Sequence, residues 1–443
     1  MLPSITLVTY PPSPTKKETA MLIRRLAIAG LAILVTLGTI PSTGVRAADV
    51  PEIKIGSILP LTGSSAQTAA GLKAAQELAV DLVNGHVSYP LPMAGGSGLP
   101  NLGHARIKLI FADSQGKPDQ AKAAAEQLIT QDKVVALIGC YTSSTTATAS
   151  QVAERYGIPF LTPSSANPKL HLRGFKWFFR TTPHDGIFSE NFFQFLADMK
   201  KKKNVSVKRV AIVYEDGLFG TGSADAEEET AKKNTYEIVA KIPYSANTTE
   251  VTAEVQKIKA AKPDVILITS YLPDSLLYMK AFKEQNIDVQ AILAQDAGFI
   301  DPGFLRTLGK DANFIFTREV FSLDVKQRNQ SVPLIDQLFR QRFNAPLDGN
   351  TARDIMGVLV MADAINRAKS TQPDAIRTAL FATNIPGDRT LMPWSRIKFD
   401  ATGQNTGGAG IIEQVLDQKY ETVWPFGISV KELVWPMPAW SKR

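Results

Sequence analysis

VVALIGCYTSSTTATASQVAERYGIPFLTPSSANPKLHLRGFKWFFR, residues 134–180, is the stretch that decides the fold. The apolar run 134–138 has the length and branching of a buried strand. It ends at Gly139 and opens into Thr142, Ser143, Ser144, Thr145 and Thr146, where a helical pattern starts that stops at Gly157. A second short strand, 158–161, opens into Thr162, Pro163, Ser164, Ser165, Ala166, Asn167 and Pro168. Two successive strands thus each deliver a small, hydroxyl-rich loop, and the first loop starts a helix. Helix N-termini carry unpaired N–H groups and partial positive charge, so they hold carboxylates or phosphates. In open α/β sheets ligands sit just past the carboxyl ends of the strands. One such loop alone reads as a helix cap or an ordinary turn. Two in tandem at this spacing read as a binding site for a small anionic group.

The front of the chain reads as an export address. Arg24 and Arg25 precede the apolar run 26–40, and small residues follow up to Ala47 and Ala48. That is the layout of a cleaved secretory signal, and the run is short for a membrane span. No cysteine follows it for lipid attachment. Residues 1–20 are polar and proline-rich, so Met21 is the expected true start. Five of the 49 basic and one of the 42 acidic residues lie in 1–48, which leaves a net charge of +3 rather than +7. That balance gives no argument for nucleic acid or a membrane surface as partner. The basic run Lys200 to Lys203 ends a helical stretch, where cations suit the helix dipole. Cys140 is the single cysteine, so an intrachain disulfide is excluded. The mature length favours two domains over one core.

Strand and helix signals alternate almost throughout. Strands are expected at 53–59, 107–112, 209–214, 236–242, 264–268, 289–293 and 313–317, with helices between all but the last two. Helices follow near 333–343, 352–368 and 373–382, then short strands at 396–399 and 411–416. Such alternation argues for doubly wound, mainly parallel sheets. The halves near 53–161 and 209–293 share one rhythm, which suggests two similarly built lobes. The Gly- and Pro-rich stretch 86–104 reads as a surface loop.

Enzyme signatures are missing. The four histidines, His86, His104, His171 and His184, lack metal-ligand spacing. There is no nucleophile-elbow pentapeptide. The stretch from Gly303 to Lys310 is one residue too long for a phosphate loop and lacks its Ser/Thr. Cys140, after a buried strand, reads as a packed thiol.

The residues together resemble a known family. The chain carries IKIGSILPLTG at 53–63, ALIG at 136–139, GIPFLTP at 157–163, RVAIV at 209–213 and DGLFG at 216–220. In this order and spacing they resemble the type I periplasmic binding proteins of ABC importers, in the leucine/isoleucine/valine-binding branch. The resemblance implies a bilobal α/β protein with three crossing strands at its hinge and a ligand between lobes that close. It implies an N-terminal lobe from 49–181 and 319–388, a C-terminal lobe from 182–318 and 389–430, and a tail at 431–443. The N-lobe loops would take an amino acid's carboxylate, with Ser143 and Ser144 on the first loop and Ser164, Ser165 and Ala166 on the second. Asp296 matches the acidic residue that takes the ammonium, and Phe219 and Tyr271 match the aromatics that cover the ligand. Ala166 lacks a hydroxyl where leucine binders commonly have threonine, and Thr68 stands where an aromatic often walls the pocket.

Asp296 also reads alone as the cap of the next turn, and Phe219 and Tyr271 as core residues. The expected function is a monomeric periplasmic protein without cofactor or metal and without catalytic activity. It would deliver an aliphatic or branched-chain amino acid to an ABC permease in the inner membrane. An amide, urea or aromatic carboxylate as ligand, or a sensory role presenting ligand to a receptor, are the alternatives. On this reading Asp296→Ala nearly abolishes binding and leaves the stability of the empty protein almost unchanged.

Overall fold

The computed structural model describes residues 51–324 and 330–443, so the expected export signal at 1–48 lies outside the described residues. The first sheet is built from β1 (Glu52–Leu59), β2 (Arg106–Asp113), β3 (Ala136–Gly139), β4 (Phe160–Thr162) and β5 (Phe178–Arg180). Their order is β2-β1-β3-β4-β5, with every neighbouring pair parallel. β3, β4 and β5 are buried along their whole length. Helices cover both faces of such a sheet, which is why its strands read as unbroken apolar runs rather than alternation. The crossovers are α1 (Ala66–Asn84), α2 (Pro118–Thr130) and α3 (Ser143–Tyr156).

After α4 (Asp185–Lys203) the pattern repeats. β6 (Arg209–Glu215), α5 (Leu218–Lys233), β7 (Glu237–Tyr244), α6 (Thr252–Ala261), β8 (Val265–Thr269), α7 (Leu272–Glu284) and β9 (Ala291–Ala294) follow, then α8 (Pro302–Leu308) and β10 (Phe316–Glu319). The order β7-β6-β8-β9-β10 is again parallel throughout and mirrors the first sheet strand for strand. In both sheets the order reverses beside the first strand, at β1/β3 and at β6/β8, and a crevice opens at such a switch point. Gly139 ends β3 there at φ +133, where a Cβ would lie 2.4 Å from the Ile58 carbonyl oxygen. Only glycine lets the two strands approach so closely.

The chain then returns to the first lobe. Helices α9 (Ser331–Phe343), α10 (Gly349–Ala368) and α11 (Pro373–Phe381) precede the small hairpin of β11 (Asn384–Pro386) and β12 (Arg396–Lys398). α10 is buried along nearly its whole length and packs against α1. Last come β13 (Ile411–Leu416), antiparallel to β10, and β14 (Lys419–Trp424), antiparallel to β13. Three passages therefore join the lobes: β5 to α4, β10 to α9, and β12 to β13. The first and third are sewn together. Asn405 N–H donates to the Arg180 carbonyl at 2.9 Å, and the Gln404 and Asn405 amides donate to the Thr182 and Thr181 carbonyls at 2.9 and 2.8 Å.

Several boundaries differ from the sequence reading. Ile385, Trp394, Ile397 and Phe399 pack in the core that covers the first sheet, so the third passage lies at 399–411 rather than at the expected 388/389 boundary. The expected tail 431–443 contributes Met437 and Trp440 to the core of the second lobe. The stretch 86–104 is not only surface, because Leu91, Ala94 and Leu99 are buried against that first core. β5, α8 and β14 went unread. What makes β5 a strand is its pairing with β4, a contact made in space.

Candidate functional site

The loops that follow β1, β3 and β4 face those that follow β6, β8 and β9. On the first lobe Thr142 is the N-cap of α3, its Oγ1 accepting the Thr145 N–H at 3.3 Å. Because Thr142 caps, Ser143 and Ser144 are free for other work. Ser143 is buried at the first turn of α3 and its Oγ accepts the Asn167 N–H at 3.3 Å, which leaves its own hydroxyl proton to donate. Ser144 reaches across, its Oγ accepting the Leu218 N–H of the second lobe at 3.3 Å.

The second loop turns its hydroxyls inward. Ser164 donates to Asp354 of α10 at 3.1 Å, and Ser165 bonds to the Cys140 and Tyr141 carbonyls at 3.0 and 3.1 Å and to Thr146 at 2.6 Å. These serines brace the loop rather than face the cleft. Ala166 is buried, and its carbonyl accepts the Asp185 N–H at 2.9 Å where the chain crosses between lobes. Cys140 is a packed thiol, pushed up to about 12 by burial.

Three aromatics stand in a row across the cleft. Tyr271 lies 5.7 Å from Tyr141 and 5.4 Å from Phe219 between ring centroids. Tyr271 is the N-cap position of α7, Phe219 lies in the first turn of α5, and both are at the β6/β8 switch point. Tyr141 directly precedes Thr142, the cap of α3, so the row ends at the N-terminus of that helix. Burial raises the Tyr271 phenol well above its usual range, with Glu215 and Tyr141 adding to it. Tyr141 was missed in the sequence, although it sits between the apolar strand and the Ser/Thr loop.

Asp296 follows β9 at φ +28 and Ala297 at φ +47, two adjoining residues in a backbone region that L-residues rarely adopt. Its Oδ2 is held by Arg318 of β10 and, at 2.9 Å, by Arg353 of α10. Both arginines are buried, and Arg353 reaches it from the other lobe. The expectation of a turn cap is not met, since Asp296 makes no side-chain cap bond. Oδ1 accepts no hydrogen bond among the described residues. Arg318 continues the network to Asp185 at 3.3 Å and to Gln295 at 3.0 Å, and Gln295 donates to Glu227 at 2.9 Å. Burial pushes Asp185 up to about 7, with Arg318 opposing, and Glu227 up to about 8.

A further bond closes the cleft. Thr68 of α1 donates to Asp301, the N-cap of α8, at 2.6 Å, and Gln67 reaches the same carboxylate at 3.3 Å. The position noted as lacking an aromatic wall is therefore a polar contact between lobes. Among the described residues no group of three His, Cys, Asp or Glu is placed to hold a metal ion. The arrangement offers hydrogen-bond donors at one end, a fixed carboxylate oxygen at the other and flat apolar surface between.

A family model described as periplasmic binding protein matches residues 52–418. Leu/Ile/Val-binding protein homolog 8 of Brucella abortus (strain 2308) is 28% identical over 92% of this chain and 99% of its own. A leucine binding protein from Thermotoga maritima superposes with a TM-score of 0.71 at 20% identity, over 84% of this chain and 97% of that one. A branched-chain amino acid transporter substrate binding protein from Streptococcus pneumoniae, in complex with isoleucine, gives 0.70 at 24% identity over 84% and 99%. A solute binding protein of an ABC transporter from Rhodopseudomonas palustris BisB5, in complex with 3,4-dihydroxybenzoic acid, also gives 0.70, at 19% identity over 84% and 96%.

Proposed function

The chain belongs to the type I periplasmic binding proteins, in the leucine/isoleucine/valine-binding family, and from that premise we propose that it captures an aliphatic amino acid between its lobes. The observation that carries the reading is that Ser143 and the α3 N-terminus stand on one lobe while Oδ1 of Asp296, on the other, accepts no hydrogen bond among the described residues. A zwitterion needs donors for its carboxylate and an acceptor for its ammonium, and the two ends lie on different lobes. Binding then draws the lobes together, and the closed form delivers the solute to a membrane permease. The proposal includes export to the periplasm, a monomeric state and the absence of catalysis. Ser143, Ser144, Phe219, Tyr271 and Asp296 are the proposed contacts, with Tyr141 added, while Ser164, Ser165 and Ala166 shape the loop.

An aromatic carboxylate is the second reading. The row of Tyr141, Tyr271 and Phe219 suits a flat ring, and Asp296 already meets two arginines. The Rhodopseudomonas palustris relative with 3,4-dihydroxybenzoic acid favours it too. Calorimetric titration with leucine, isoleucine, valine, benzoate and 3,4-dihydroxybenzoate separates the two. Tight binding of an aliphatic amino acid supports the first reading. Binding of the benzoates alone overturns it.

A further inference from the structure

Antiparallel pairing of β10 with β13 sets Thr317 opposite Glu413 and Glu319 opposite Ile411. Side chains alternate along a strand, so Glu319 and Glu413 stand on the same face as diagonal neighbours. A cavity of 470 Å³ has both carboxyls in its lining, with Ile300, Leu305, Leu347 and Tyr420 among its walls. Glu319 is 2% exposed. Its Oε2 accepts the Val320 and Phe321 N–H groups, while Oε1 has no hydrogen-bond partner among the described residues. Oε1 rests against Gly349, also in the lining, where a Cβ would lie 1.7 Å away. A glycine at this point leaves room for the oxygen.

The other charged groups around the cavity are already engaged or exposed. Asp324 takes the Thr422 N–H and hydroxyl at 2.6 and 2.7 Å, Asp348 caps α10, and Arg340 pairs with Asp336 at 2.7 Å. Glu421 faces Lys431 at 3.7 Å, and Lys419 is exposed. Burial pushes Glu319 up to about 7 and raises Glu413 well above the usual carboxylate range, with Glu319 adding to the latter. A buried carboxyl oxygen without a donor is unfavourable, and a ligand that supplies the donor gains that difference.

We propose that this cavity is a second ligand site, which takes a small organic cation: an ammonium or amidinium group on a short apolar body, received by Glu319 and Glu413. The apolar walls argue against a bare metal ion, as does the lack of a third converging ligand among the described residues. The lining also places the site mechanically. Ile300 and Leu305 belong to the second lobe, Leu347 and Gly349 lead into α10 of the first, and Glu319 ends the strand that passes between them. An occupant bridges the lobes beside a passage, so its binding is coupled to closure, and the coupling is reciprocal.

The probe is n-butylammonium, titrated calorimetrically into the full protein beside tetramethylammonium, potassium and calcium. Wild type should bind n-butylammonium, and Glu319→Gln and Glu413→Gln should each weaken it by about tenfold or more. Leu305→Trp, which fills the cavity from a half-buried position, should abolish it while thermal melting shows a folded protein. Absence of heat with n-butylammonium at millimolar concentration overturns the proposal, as does equal affinity for tetramethylammonium, which has no N–H to donate. Binding of calcium in place of n-butylammonium overturns the organic-cation assignment, and unchanged affinity in folded Leu305→Trp overturns the placement of the site in this cavity.

Discussion

Substitution of Asp296 tests the ligand reading and the buried network together, because one carboxylate carries two loads. Its Oδ2 neutralises Arg318 and Arg353, both buried, while its Oδ1 is the acceptor proposed for an ammonium group. From sequence alone Asp296→Ala should leave the empty protein as stable as before. The structure reverses that expectation. Removing one partner of a buried ion pair is destabilising by about 3–5 kcal/mol, since a charge is left uncompensated. Here the arginines keep other partners. Arg318 retains Gln295 at 3.0 Å and Asp185 at 3.3 Å, and Arg353 retains Asn350 at 2.6 Å and the Gly349 carbonyl at 3.1 Å. The lower end, about 3 kcal/mol, is therefore expected for Asp296→Ala.

Asp296→Asn is the sharper variant for binding. It keeps the shape and an oxygen acceptor but removes the charge. Truncating one member of a desolvated charge pair costs about 2–5 kcal/mol in affinity, which is roughly 30-fold to several-thousand-fold. Denaturant unfolding of the empty variants gives the first quantity, and calorimetric titration of Asp296→Asn with the tightest-binding amino acid gives the second. If Asp296→Asn binds within about threefold of wild type, no ammonium meets this carboxylate, and the aromatic-acid reading takes its place. If Asp296→Ala unfolds at the wild-type midpoint, the bridge to Arg318 and Arg353 contributes nothing and the network is misread.

Ser143→Ala should weaken the same ligand by about 1–2 kcal/mol, less than Asp296→Asn, because backbone N–H groups at the α3 N-terminus remain; titration of the two variants side by side checks the ranking. Thr68→Val removes the donor to Asp301 and should shift the lobes toward the open form, read as a larger radius of gyration by small-angle scattering at saturating ligand. Glu227 keeps a proton up to about 8 when folded, against 4.5 in its ordinary state, because burial disfavours its charge. The folded protein therefore holds a proton that the unfolded chain releases, and stability falls as pH rises through that window. Glu227→Gln should flatten the fall, and equal slopes in urea unfolding between pH 5 and 8 would exclude the effect. N-terminal sequencing of exported protein should begin at Ala48 or Asp49, and material that still carries residues 26–40 would refute cleavage there.

Much of the fold was legible because its signals are local. The runs at 55–59, 136–138 and 265–268 are buried on both faces, so each announces itself by composition alone. The proposed site is legible by position and less so by direction. Ser143, Phe219 and Tyr271 each stand where a strand hands over to a helix beside a switch point, the place proposed for the ligand. Ser164 and Ser165 stand at a comparable place yet turn inward, because their partners Asp354 and Thr146 lie in other elements. A loop's composition states how many hydroxyls it carries, not which way they face. The same limit hid the arginines. Arg353 lies in the second turn of a helix that is buried along nearly its whole length, and a charge in such a place needs a partner. The sequence shows the need, but the partner is Asp296, 57 residues earlier and on the opposite lobe. That separation has a mechanical consequence. A charge pair between lobes in a buried setting favours the closed arrangement, and a ligand that engages the other carboxylate oxygen adds its pull to the same residue. Closure and recognition then share one side chain, so a substitution at Arg353 should change affinity without touching the ligand.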